Sequence, residues 1–98
     1  METLYEEVEA GRALLLDVRT EEEWNEGHAE GARHFDLMRL MHGEAPDVPK
    51  EKPIYLYCHS GNRAGMAEAY LKKQGFANTK NIGGLPELEG LKIPLASS

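Results

Sequence analysis

Two short apolar runs, Ala13-Leu14-Leu15-Leu16-Asp17-Val18 and Ile54-Tyr55-Leu56-Tyr57, constrain this chain more than any other feature. Both read as strands, and the nearly continuous apolarity of the first is expected of a strand covered on both faces. The segments around them carry helical signals. Leu4, Tyr5 and Val8 share a helical spacing that Gly11 can stop, and Thr20 with Glu23 forms a capping-box pattern for a helix ending near Gly27. Ala32 to Phe35 predicts a further short strand, and Asp36 can cap a short helix through Met41. A longer helix is predicted from about Asn62 to Gln74, with Met66, Ala67, Tyr70 and Leu71 as its apolar face and Gly75 beyond its end. Thr79 to Ile82 predicts a last strand, and Gly83-Gly84 leads into a helical turn around Pro86 to Leu88. Strands separated by helices imply parallel pairing, so the predicted class is α/β, with helices on both faces of the sheet.

The 98 residues predict one domain spanning 1–98. The proline-rich stretch from His42 to Pro53 joins two halves that are each too small to bury a core alone. There are 11 basic and 17 acidic side chains, a formal charge of −6, with no basic cluster, which argues against a nucleic-acid partner. No apolar run approaches the length of a membrane span. The first residues lack the pattern of a signal peptide, which predicts a cytoplasmic location. One cysteine, Cys58, allows neither an internal disulfide nor a cysteine-rich zinc site, and His28, His34, His42 and His59 show no ligand spacing. The sequence therefore predicts neither a metal nor another cofactor.

In open α/β sheets ligands sit beyond the carboxyl ends of the strands. Cys58 follows the second apolar run and opens the clearest helix. Cys58-His59-Ser60-Gly61-Asn62-Arg63 is tight enough to turn successive N–H groups inward as an anion-binding nest, backed by the positive end of the helix. Gly61 supplies conformational freedom, and Arg63 adds a permanent positive charge. Together these favour thiolate over thiol and suggest a nucleophilic cysteine. A buried, inert thiol is the bland alternative.

The same loop, with Ala64 after it, resembles the C-x-S-G-x-R-[SA] active-site loop of rhodanese-domain sulfurtransferases. The resemblance extends over nearly the whole chain. Leu15-Leu16-Asp17-Val18-Arg19, Glu23-Trp24 and Gly27-His28-Ala29-Glu30-Gly31-Ala32 are similar to the family's upstream signatures, and Gly75-Phe76 and Gly83-Gly84 to its downstream ones. Leu88 stands where an aromatic residue is often found, and His59 where relatives often carry Arg. The resemblance implies a single-domain rhodanese with a parallel sheet of four to five strands.

It also implies a chemistry. Cys58 attacks the outer sulfur of thiosulfate or a related donor, forms a persulfide and passes the sulfur to cyanide, a thiol or a protein acceptor. His59, Ser60, Gly61, Asn62 and Arg63 would hold the substrate. Arg63 can either contact the donor or pair with an acid and brace the loop. Asp17 and Arg19 read as structural ion-pair formers, and His28 as a hydrogen-bonded structural histidine. Two rivals remain. A cysteine phosphatase or arsenate reductase would need five residues between Cys and Arg, one more than the four found here. A persulfide carrier or regulatory module would need the same loop.

Overall fold

The computed structural model describes residues 3–96. Its central sheet contains β1 (Leu14–Asp17), β3 (Arg33–His34), β4 (Ile54–Tyr57) and β5 (Thr79–Gly83), all parallel, in the order β3-β1-β4-β5. A second ladder pairs β2 (His28–Ala29) antiparallel with β6 (Leu95–Ala96). The sheet thus has four strands, and the two-residue ladder is an addition that the sequence reading did not anticipate. So short a pairing has no periodicity to read.

The helices form where capping chemistry starts them. α1 (Leu4–Glu9) and α2 (Glu21–Glu26) both open with capping boxes, Thr3 with Glu6 and Thr20 with Glu23. α3 (Leu37–Met41) is capped by Asp36, whose side chain accepts from Met38 N–H. α4 (Asn62–Lys73) follows Gly61, and α5 (Leu85–Gly90) follows Gly84.

Side chains alternate across β1 and β4, so each apolar run feeds two cores. Leu14, Leu16, Val18, Ile54, Leu56 and Cys58 pack with Leu37 and Leu40 of α3 and with Ala64, Ala67 and Leu71 of α4. Leu15 and Tyr57 face the other way, toward Leu88, Ile93 and the α1 residues Leu4, Tyr5 and Val8. Leu88, in place of the expected aromatic, is fully buried there. Met66 departs from expectation. It is 48% exposed, because the buried stripe of α4 runs through Ala64, Ala67 and Leu71, spaced by three and four residues.

One irregularity matters for the site. Leu56 pairs with Asn81 but Tyr57 pairs with Gly83, a bulge that advances β5 by one residue. The Gly83 carbonyl thereby accepts from Cys58 N–H at 3.2 Å.

Candidate active site

The loop from Cys58 to Arg63 lies at the carboxyl end of β4 and turns directly into α4. Gly61 makes the turn possible with φ of 99°, a conformation that L side chains rarely adopt. Its N–H donates to Cys58 Sγ at 2.8 Å. Of the ring of amides expected around the sulfur, this is the one within hydrogen-bonding distance of it. The N–H groups of His59, Ser60, Asn62 and Arg63 meet no protein acceptor among the described residues. No side chain caps α4, so its first-turn amides retain their capacity to bind an anion. Cys58 itself is 1% exposed, beneath the loop that joins β4 to α4.

The neighbouring turn pins this loop. Ser60 bridges Gly84, Leu85 N–H donates to the His59 carbonyl, and Glu87 Oε1 accepts from Gly84 N–H at 2.6 Å. A Cβ on Gly84 would land on the His59 carbonyl, which explains why the second of the paired glycines has no side chain. Asn81 adds a clamp that the sequence reading missed. Its Nδ2 donates to the Gly61 carbonyl at 2.9 Å while its Oδ1 accepts from Gly83 N–H at 2.8 Å. An amide side chain inside a strand, where Asn is normally depleted, was the available signal.

Arg63 has a partner from far upstream. Its two terminal nitrogens meet Glu23 Oε1 at 2.6 Å and Oε2 at 2.9 Å, a bidentate pair. Hydrogen bonds from Arg63 are the main cause that holds the Glu23 carboxyl down to about 2. The Arg63 guanidinium is held above its ordinary range, first by the same bonds, with smaller Coulombic contributions from Glu23, Cys58 and Asp17. Glu23 had a visible role as a capping-box residue, which concealed this second one. His59, Ser60 and Asn62 are exposed. Beside the loop lies a groove of about 620 Å³ lined by His59, Ser60, Leu85, Pro86, Glu87, Glu89 and Leu95.

Asp17 and Arg19 form the structural pair expected of them. Arg19 Nη2 meets Asp17 Oδ2 at 2.7 Å and donates to the Gly27 carbonyl at 2.6 Å. Tyr57 completes the network, donating to Asp17 Oδ2 at 2.6 Å and accepting from Ala29 N–H. Burial pushes the Tyr57 hydroxyl well above its usual range. Burial opposes the charge on Arg19, yet hydrogen bonds and attraction from Asp17 outweigh it and raise its pKa. His28 stacks on Trp24 with ring centroids 3.5 Å apart, and its Nδ1 lies 3.0 Å from the Trp24 carbonyl. Among the described residues no group of His, Cys, Asp and Glu could hold a metal ion, and no helix is long and apolar enough to cross a membrane.

Comparison with known proteins matches the rhodanese-like domain to residues 1–89. The chain is 39% identical over 87 residues to the uncharacterized protein YqhL of Bacillus subtilis, covering 86% of this chain and 68% of that protein. It is 30% identical over 79 residues to the thiosulfate sulfurtransferase PspE of Escherichia coli, covering 80% of this chain and 76% of that one. The solution structure of a rhodanese-like domain from Anabaena superposes with a TM-score of 0.81 at 26% identity, covering 97% of this chain and 74% of the other. Other relatives are longer. The chain spans 44% of the putative sulfur carrier protein YrkF of Bacillus subtilis and 22% of the adenylyltransferase and sulfurtransferase uba4 of Ogataea parapolymorpha. With the family's domain matched along most of its length and the family's fold around Cys58, the chain belongs to the rhodanese-like domain family.

Proposed function

We propose that this chain is a sulfurtransferase that moves a sulfane sulfur through a persulfide on Cys58. The observation that carries this reading is the 2.8 Å hydrogen bond from Gly61 N–H to Cys58 Sγ at the start of α4. A donor of this kind stabilises negative charge on sulfur, whether on the thiolate or on the persulfide that replaces it. In the first half-reaction the Cys58 thiolate attacks the outer sulfur of thiosulfate. The sulfur–sulfur bond of the donor breaks, sulfite leaves with the electron pair, and Cys58 carries a persulfide. In the second, cyanide or a thiolate attacks the outer persulfide sulfur and Cys58 departs as thiolate.

The N–H groups of His59, Ser60, Asn62 and Arg63 receive the donor's anionic end, while the Gly61 N–H stays on the sulfur. Near-complete burial of Cys58 favours a substrate whose reacting sulfur projects from its oxygens, as in thiosulfate. The short spacing to Arg63, and the engagement of both its terminal nitrogens by Glu23, support sulfur transfer over phosphate chemistry.

Thiosulfate:cyanide transfer should be measurable on the wild type and absent in Cys58→Ala, and thiosulfate treatment should add one sulfur atom by mass only where Cys58 is present. A wild type that neither gains sulfur nor forms thiocyanate would refute the reading. A second reading, a persulfide carrier that serves a protein acceptor, draws on the similarity to YrkF. Loading without efficient discharge to cyanide would favour it.

A further inference from the structure

We infer that Glu23 is a specificity-determining residue: by neutralising Arg63 it sets the charge of the cysteine loop and biases it toward sulfur donors of lower negative charge. This rests on the sulfurtransferase reading above. Arg63 is the one permanently charged side chain between Cys58 and Ala64. Glu23 occupies both of its terminal nitrogens. With its carboxyl held down to about 2, Glu23 is ionised near neutral pH, so the pair is neutral overall there. The groove beside His59 and Ser60 adds Glu87 and Glu89 and no cation. A dianion such as thiosulfate therefore meets amide dipoles but no net positive charge. A monoanion pays less for approaching the same carboxylates.

Methanethiosulfonate isolates this variable, because a methyl group replaces one charged oxygen of thiosulfate while the sulfane sulfur stays the same. Cys58 thiolate attacks that terminal sulfur, the sulfur–sulfur bond breaks, and methanesulfinate leaves with the electron pair. Charge and atoms balance as with thiosulfate, with one negative charge fewer on each side.

The test is the ratio of kcat/KM for methanethiosulfonate over thiosulfate. In Glu23→Gln the guanidinium keeps a hydrogen-bond acceptor but loses its counter-charge, and the ratio should fall about fivefold. Thiosulfate turnover in that variant should also become sensitive to ionic strength, weakening as salt approaches 1 M and the Debye length falls to about 3 Å. Thr20→Ala loosens the α2 cap without changing charge and should leave the ratio at the wild-type value. Glu23→Gln/Arg63→Gln removes both charges and should restore the ratio even if absolute rates are lower. An unchanged ratio in Glu23→Gln, or an equal shift in Thr20→Ala, would overturn the inference. Failure of both donors to load the wild type would instead refute the sulfurtransferase reading itself.

Discussion

Two acid–arginine pairs stand near the carboxyl ends of the strands, and they differ in what surrounds them. Asp17–Arg19 is sealed, with the Asp17 side chain 0% exposed, and it is tied to the Gly27 carbonyl and the Tyr57 hydroxyl. Glu23–Arg63 is half-open, at 27% and 33% exposure, and joins the start of α2 to the first turn of α4. The first pair is bracketed on every side by groups that the fold already needs, so it locks β1, β2 and β4 together. The second pair touches the Cys58–Arg63 loop and stays open to solvent. A buried charge left without its partner costs far more than a half-exposed one. The sealed pair should therefore dominate stability, and the open pair should act mainly on the chemistry.

The sharpest way to break this contrast is Asp17→Asn. It leaves the Arg19 guanidinium buried without its counter-charge, and the expected loss is about 3–5 kcal/mol in urea denaturation. For a domain of this size that is much of the total stability. Tyr57→Phe is milder. It removes the hydroxyl that donates to Asp17 and accepts from Ala29, and should cost about 1–3 kcal/mol with little effect on thiosulfate turnover.

The smallest stability effect should come from Glu23→Gln, about 1 kcal/mol near neutral pH. Its pH dependence has a defined sign. The folded carboxyl sits at about 2, below the ordinary 4.5, so its contribution is complete above about pH 4.5 and disappears as pH falls toward 2. Urea melts between pH 2 and 6 should show the difference between wild type and Glu23→Gln closing at the acid end. A difference that stays constant across that range would show that the carboxylate charge is not what stabilises the pair.

Much of this arrangement was legible from local chemistry. Thr20 and Glu23 are three residues apart, so their capping box could be read directly, and so could the buried strands and the strand–loop–helix turn at Cys58. What escaped depends on distance along the chain. Glu23 and Arg63 are 40 residues apart, and only the packing of α2 beside the loop brings them together. Asn81 reaches back 20 residues to Gly61. Met66 belongs to the apolar face predicted for α4, yet apolar spacing alone does not fix which stripe of a helix faces inward. Small alanines at 64 and 67 let α4 sit close to the sheet, and that choice turned Met66 outward.

The contact between Gly84 and the His59 carbonyl bears on how this protein tolerates mutation. A single methyl group at position 84 has nowhere to go, because the obstacle is main chain and not a side chain that could swing aside. In an exhaustive survey of single substitutions scored by turnover, position 84 should appear as intolerant as Cys58, although it has no side chain to offer the chemistry. A reader of such a map would be led to a second catalytic residue where there is only a tight fit between two turns.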